Sequence, residues 1–242
     1  MSINDCVLQT EALTKVYGHS PALNGLTMRV PRGSVYGFVG KNGAGKTTLF
    51  RLICGLQRPS SGGFSLFGIP HDSARIVDAR RHIGALVESP AIYRDLTAEE
   101  NLRQQYRILG LDGFDGIDAL LRLAGLQAAG GKKARHLSLG MRQRLGVAMT
   151  LVGNPDFLML DEPGNGLDPQ GVAELRQWLI RLNGERGVTL LISSHNLHEL
   201  SRLATHYGVI DGGRMVREFS AGEAGGDLED YYLSLVGGVG HA

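Results

Sequence analysis

The 242 residues suffice for one full hydrophobic core, and the formal net charge of +1 comes without any block of lysine or arginine, so the electrostatic footprint of a nucleic-acid binder is missing and no DNA or RNA partner is expected. No apolar stretch approaches the roughly 20 residues that cross a bilayer, and the N-terminus has neither the basic start nor the apolar core of a secretion signal, so no direct membrane insertion is expected and the chain reads as cytosolic. Of the two cysteines, Cys54 falls in an apolar helical stretch, as a buried free thiol does, and neither it nor Cys6 supports a functional role.

In chain order, short strands broken by turns are predicted over residues 7–13, 25–30 and 35–39, with Pro31-Arg32-Gly33 as a turn, so the start reads as largely β. The run Val35-Tyr36-Gly37-Phe38-Val39 leads directly into Gly40-Lys41-Asn42-Gly43-Ala44-Gly45-Lys46-Thr47, which fits G-x-x-x-x-G-K-[ST] at every fixed position. Thr48-Leu49-Phe50-Arg51-Leu52-Ile53 follows as a helix-compatible segment, completing the strand, loop and helix that this pattern needs. In such a loop the glycines let successive main-chain N–H groups turn inward on phosphate at a helix N-terminus. Lys46 would neutralise the β- and γ-phosphates and the Thr47 hydroxyl would ligate Mg²⁺, with residues 40–48 together forming the predicted nucleotide contacts.

Farther on, Thr97 and Glu100 form a capping box, and Leu102, Tyr106 and Leu109 recur at helical spacing. Gly110, Gly113 and Gly116 loosen the chain, a second helix is predicted over 117–123, and Ala128-Ala129-Gly130-Gly131 breaks it again before Ser138, so residues 90–152 read as helical. Beyond a stop at Gly153-Asn154-Pro155, Phe157-Leu158-Met159-Leu160 is apolar without alternation, as expected of a strand covered on both faces. Asp161 and Glu162 stand at its end. Asp168-Pro169 supplies an N-cap and a first-turn proline for a helix with Val172, Leu175, Leu179 and Leu182 on one face. A second apolar strand over 188–192 ends at Ser193-Ser194-His195, and the Gly-rich residues 237–242 read as a flexible tail.

Open parallel sheets bind ligands beyond the carboxyl ends of their strands, and three predicted strands end in chemically useful residues: the phosphate loop, Asp161-Glu162, and His195. Asp161 is placed to hold Mg²⁺ through water, Glu162 to polarise the water that attacks the γ-phosphate, and His195 to contact that phosphate. Alone, an Asp-Glu pair after a strand is an ordinary solvated turn and a strand-end histidine is structural; the phosphate loop in the same chain gives them chemistry.

Taken together with Leu137-Ser138-Leu139-Gly140-Met141-Arg142-Gln143 and Gly166-Leu167-Asp168, these motifs resemble, over nearly the whole chain, an ABC-transporter ATPase subunit. The resemblance implies an α/β fold: a P-loop NTPase core with a β-rich N-terminal subdomain (1–89 and 153–236) and an inserted α-helical signature subdomain (90–152), within one ABC ATPase domain. It makes residues 40–47 the Walker A motif, 157–162 Walker B, 165–168 the D-loop, His195 the switch histidine and Tyr17 the aromatic that stacks on adenine. Residues 137–143 correspond to the signature, commonly Leu-Ser-Gly-Gly-Gln, from which Leu139 and Met141 depart. Glycine at 139 would tolerate φ > 0 and leucine does not, so a local backbone difference is expected there. Ser138 is a good N-cap for a helix with Met141, Leu145 and Met149 on one face, and its positive end would point at an anion. In the family that element touches the γ-phosphate held by a second subunit. Ser138 and Gly140 are thus expected to complete the site of a partner, a second copy of the chain or a homologous ATPase subunit, in a head-to-tail dimer.

Within Ile83-Gly84-Ala85-Leu86-Val87-Glu88-Ser89-Pro90, Glu88 stands where family members usually carry glutamine. A carboxylate can still accept Mg²⁺, adds charge near the triphosphate and lacks the amide donor, so Glu88 is expected beside nucleotide and metal with a role in turnover. This segment, with Tyr93, Leu96-Thr97-Ala98, Glu100-Asn101-Leu102 and the Ser-Leu-Gly-Met of the signature, resembles the ATPase subunits of bacterial peptide-antibiotic exporters of the bacitracin-resistance and lantibiotic-immunity type; neutral drift in another exporter subfamily stays an open alternative. ATP and Mg²⁺ are then the implied ligands, and a separate membrane permease holds the chain at the inner face of the cell membrane. The competing class, a soluble ABC ATPase acting on nucleic acid or ribosomes, commonly has a coiled-coil insertion or two ATPase units, for which 242 residues leave no room. A regulator that binds nucleotide without hydrolysis is disfavoured by Asp161, Glu162 and His195.

Overall fold

The computed structural model describes residues 5–224 and 231–232; the tail expected to be flexible, 237–242, lies outside the described residues. Strands β1 (Cys6–Tyr17) and β2 (Ser20–Pro31) pair antiparallel and carry the start of the chain into β3 (Val35–Val39), the phosphate loop and helix α1 (Lys46–Ile53). The hairpin of β4 (Ser61–Leu66) and β5 (Ile69–Pro70) joins β1 to complete a four-stranded antiparallel sheet, in the order β2–β1–β4–β5. After the short helix α2 (Ile76–Arg80), strand β6 (Ile83–Leu86) enters the second sheet.

Helices α3 (Ala98–Ile108), α4 (Ile117–Leu123) and α5 (Leu139–Thr150) follow. Both halves of the Thr97/Glu100 capping box form, the Thr97 main chain donating to Glu100 Oε2 at 2.7 Å and the Glu100 main chain to Thr97 Oγ1 at 3.1 Å. Leu102 is buried in this helical layer, whereas Leu109, on the same helical spacing, caps α3 and stays exposed. Asn154, at φ +51°, follows Gly153 at φ +89° and ends the run before β7 (Phe157–Asp161). Helix α6 (Pro169–Arg186) is capped by Asp168, which accepts the Gly171 N–H at 2.8 Å. Next come β8 (Thr189–Ser194), α7 (Leu197–Ser201), β9 (His206–Asp211) and β10 (Arg214–Ser220).

The second sheet has the order β10–β9–β3–β8–β7–β6, parallel throughout except for β10. Its central strands β3, β7 and β8 are buried along their whole length because both faces are covered, whereas the edge strand β10 is largely polar. Alternate residues serve two layers: Val35, Val39, Leu158, Leu160, Leu190 and Ile192 pack with the helices, including Trp178 and Leu182 of α6 and Leu145 of α5. Tyr36, Phe38, Phe157, Met159 and Leu191 pack on the opposite face with α1 and the antiparallel sheet. The register pairs Val39 with Ser194 and Asp161 with Ser193. Those pairings bring the C-terminal ends of β3, β8 and β7 to one level, and the chemistry follows from that alignment. No helix among the described residues is long and apolar enough to cross a membrane.

Candidate functional site

The loop after β3 is shaped by glycine. Gly45, at φ +111°, caps α1, and a Cβ there would lie 2.4 Å from the Ala22 carbonyl oxygen, so neither the dihedral nor the space admits a side chain. The first turn of α1 has no side-chain cap and no acidic residue, leaving its main-chain donors and its positive dipole end unneutralised. Lys46 is almost fully buried, and its Nζ donates to the carbonyls of Gly40 (2.5 Å) and Lys41 (3.2 Å) while pairing with Glu162 Oε1 at 3.1 Å. The ammonium is thereby folded into the concavity formed by residues 40–46. Lys41, Asn42 and Gly43 at the loop's crest are exposed, Ala44 is buried beneath them, and Thr48 is buried in α1.

At the neighbouring strand ends a compact polar network forms. Thr47 Oγ1 donates to Asp161 Oδ2 at 2.7 Å, and Ser193 Oγ donates to Asp161 Oδ1 at 2.5 Å. Ser193 Oγ also accepts the Glu162 N–H at 2.9 Å. Asp161 and Ser193 are both buried, so each polar atom must be matched within the protein, and the register of β7 on β8 supplies the match. Glu162 leaves the strand in the left-handed region, at φ +48°, a conformation that costs a non-glycine residue about 1–2 kcal/mol. That turn carries its carboxylate to Lys46 on one side and, through Oε2, to His195 Nδ1 at 2.6 Å on the other. Lys46, Thr47, Asp161, Glu162 and His195, expected from the sequence to share a site, are thus joined by direct contacts. Ser193, noted there only as a strand end, is the buried bridge between Asp161 and Glu162; its signal was its position beside β7, which sequence alone did not reveal.

Other expected site residues stand apart. Tyr17, at the end of β1, is half exposed, its hydroxyl donating to Gln57 Oε1 and its ring 5.4 Å from the Lys15 ammonium. Glu88 lies in the loop after β6, at φ +66°, and its carboxylate is turned onto Arg51 of α1 rather than onto Thr47 or Asp161. Arg51 also interacts with Tyr17, so one guanidinium links the two. Ser138 caps α5 and accepts the Met141 N–H at 3.2 Å; it is exposed, and among the described residues no hydrogen bond joins it or Gly140 to the phosphate loop. The backbone difference expected at Leu139 does not arise: it is the first residue of α5, and helical φ there is open to leucine as to glycine. Cys54 terminates α1, and burial pushes its thiol up to about 11, leaving it a protonated, inert group.

The donor set is suited to a magnesium triphosphate. A glycine-shaped cradle at a bare helix start offers main-chain donors and one ammonium to phosphate, and the hydroxyl of Thr47 beside the carboxylate of Asp161 offers the hard oxygens that magnesium prefers.

Residues 23–165 match the ABC transporter family. The chain is 42% identical over 212 residues to the bacitracin transport ATP-binding protein BcrA of Bacillus licheniformis, covering 88% of this chain and 69% of that one. It is 38% identical over 212 residues to the lantibiotic transport ATP-binding protein SrtF of Streptococcus pyogenes, covering 88% and 90% of the two. Among solved structures, cbiO1 of Clostridium perfringens, part of the ABC transporter complex cbiONQ, superposes with a TM-score of 0.82 at 28% identity, over 97% of this chain and 96% of the other.

Proposed function

The chain belongs to the ABC transporter family as an ATP-binding subunit and is an ATPase; from that premise we propose that it pairs head to tail with a second ATPase subunit and powers a separate membrane permease that removes peptide antibiotics from the cell. In this reading it sits in the cytoplasm, on the inner face of the membrane through that permease. The observation that carries the hydrolytic part is the Glu162 carboxylate held between Lys46 and His195, at 3.1 and 2.6 Å, beside the Thr47–Asp161 pair.

In that arrangement Lys46 and the N–H groups of residues 40–48 bind and neutralise the terminal phosphates of ATP. Thr47 and Asp161 would hold magnesium, with Glu88 a third candidate ligand once its loop swings away from Arg51; the ion supplies charge neutralisation at the phosphoryl oxygens. Glu162 acts as general base, orienting a water toward the γ-phosphorus and accepting its proton. His195 fixes the rotamer of that carboxylate and reaches the γ-phosphate, and the exposed ring of Tyr17 stacks on adenine. Ser138, exposed, and Gly140, half-buried, at the start of α5 face a partner's nucleotide and complete its site.

Peptide antibiotics are favoured as cargo because BcrA and SrtF, by name a bacitracin and a lantibiotic transport protein, align over most of the chain. The test is a bacitracin- or nisin-sensitive host that expresses the chain together with its permease. The wild-type pair should raise the inhibitory concentration, and Glu162→Gln should abolish that protection and cut ATP turnover by about 10²- to 10⁴-fold, while the purified variant still binds MgATP and dimerises with it. Equal protection by the variant would refute the role of Glu162. A functional, membrane-assembled pair that protects against neither peptide would refute the cargo.

A further inference from the structure

Between the start of α5 and the turn that follows Glu162, two leucines lie over two glycines. A Cβ on Gly166 would stand 3.2 Å from Leu139 Cδ2, and one on Gly140 would stand 3.6 Å from Leu167 Cδ2, so each leucine reaches across to the glycine of the opposite segment. Farther along the same two segments, Arg144 of α5 donates to Glu174 of α6 at 2.8 Å, and Gln170 donates to the other oxygen of that carboxylate at 3.1 Å. Residues 139–144 and 166–174 are therefore pinned side by side by two apolar contacts and an ion pair. Gly166 is at φ +77°, where a side chain is strained, and a Cβ there would press on Leu139, so glycine suits that position.

The connection back to the catalytic carboxylate is short and stiff. Asn165 N–H donates to the Glu162 carbonyl at 3.0 Å and Leu167 N–H to the Gly164 carbonyl at 3.1 Å, two successive tight turns with no slack between them. At their origin Glu162 is fixed by Ser193 through its main chain and by Lys46 and His195 through its side chain. A shift of Leu167 must pass into Glu162 or break one of these bonds.

We propose that Leu139 is a positioning residue for hydrolysis: it keys the start of the signature helix onto Gly166 and Leu167, so that engagement of Ser138 and Gly140 by a partner's nucleotide sets the same protomer's Glu162 in its working position. This rests on the reading in which Ser138 and Gly140 complete a partner's site. Each protomer then hydrolyses its own nucleotide only when its signature helix is seated on the other's, and the two sites are coupled through Leu139 and Leu167 without any ligand contact by either leucine.

The test compares Leu139→Ala, which keeps helix propensity while removing the apolar reach, with Leu139→Met, which restores the reach, and with Leu139→Ala combined with Leu167→Ala. Three quantities are measured on the full chain: MgATP affinity by calorimetry, ATP-dependent dimerisation in a Glu162→Gln background, and steady-state turnover. Leu139→Ala is expected to bind MgATP and dimerise as the parent does while turnover falls about tenfold, within the range that coupling residues contribute. Leu139→Met should recover most of the rate, and the Leu167→Ala change should add little to Leu139→Ala, because the two contacts hold the same pair of segments together and losing either one frees them. Turnover of Leu139→Ala within twofold of wild type, a loss that follows weaker dimerisation alone, or fully additive effects of the two leucines would each overturn the proposal. Failure of Glu162→Gln itself to dimerise with ATP would instead remove the shared-site premise, an outcome visible before any leucine is changed.

Discussion

The nucleotide-gripping half of the site and the half that would complete a partner's site are built on opposite principles. Asp161 and Ser193 are buried at the ends of parallel strands whose register fixes them, Lys46 is buried at the start of α1, and their polar atoms are matched by direct contacts of 2.5 to 3.2 Å. Ser138, Leu139 and Glu88 are exposed on a helix start and a loop, where Ser138 caps its own helix and Glu88 meets the solvated Arg51. The first half is preorganised within one chain, where low dielectric strengthens each interaction and leaves no mismatch unpunished. The second half is preorganised only in direction, by a capped helix, and in the proposed dimer its energy would be realised on association.

The largest effect is expected where that contrast is sharpest. Lys46→Ala removes the ammonium from the buried cradle and leaves Glu162 with His195 as its neighbour. Turnover should fall by about 10²- to 10³-fold, as when a preorganised charge donor is lost from an electrostatic site, and calorimetry should find MgATP binding severely weakened. Should Lys46→Ala bind MgATP as wild type does, the cradle would not be the phosphate site, and the division between the two halves would dissolve.

A smaller effect sharpens the comparison from inside the core. Ser193→Ala leaves one oxygen of the buried Asp161 without its hydrogen-bond donor and removes one acceptor of the Glu162 N–H, which keeps the Ser193 carbonyl at 3.2 Å. An unsatisfied buried acceptor costs about 1–3 kcal/mol, so denaturant unfolding should register a loss in that range. Turnover should drop with it, since the left-handed backbone of Glu162 loses a restraint. Unchanged stability would mean that water replaces the hydroxyl and that the network is less closed than its geometry implies.

What the sequence made legible follows the same division. The strands β3 and β7 were readable because residues covered on both faces leave an unbroken apolar run, and the caps Thr97, Ser138 and Asp168 were readable because each acts on a main-chain group two or three positions away. Local physics writes itself locally. The pairing of β7 with β8 joins residues about thirty positions apart, and nothing in either segment announces that Ser193 will meet both Asp161 and the main chain of Glu162. The β4–β5 hairpin is hidden for a related reason: Ser61, Gly62 and Gly63 have little strand preference of their own, and their strand geometry is imposed by pairing with β1. The left-handed turn at Glu162 is likewise dictated by the contacts it serves rather than by glutamate's own preference.

The smallest expected effect lies on the exposed side, at the pair formed by Glu88 and Arg51. Both are substantially solvated, at 56% and 36% side-chain exposure, so the pair competes with water and with salt. An exposed ion pair contributes about 0.2–1 kcal/mol, which bounds the stability change in Glu88→Gln or Arg51→Gln and, if turnover follows it, the rate change at roughly fivefold or less. The direction discriminates between two roles. If the pair restrains the Glu88 loop away from the metal, Arg51→Gln should raise magnesium affinity and turnover, and Glu88→Gln should lower both, with the difference narrowing at high ionic strength. If Glu88 instead merely steadies the loop, the two substitutions should act in the same direction and by the same amount, and a double variant should be no worse than either one. Magnesium titrations of nucleotide binding, run at low and high salt, separate these outcomes without relying on hydrolysis, and identical curves for all three variants would leave Glu88 a tolerated surface carboxylate with no part in the site.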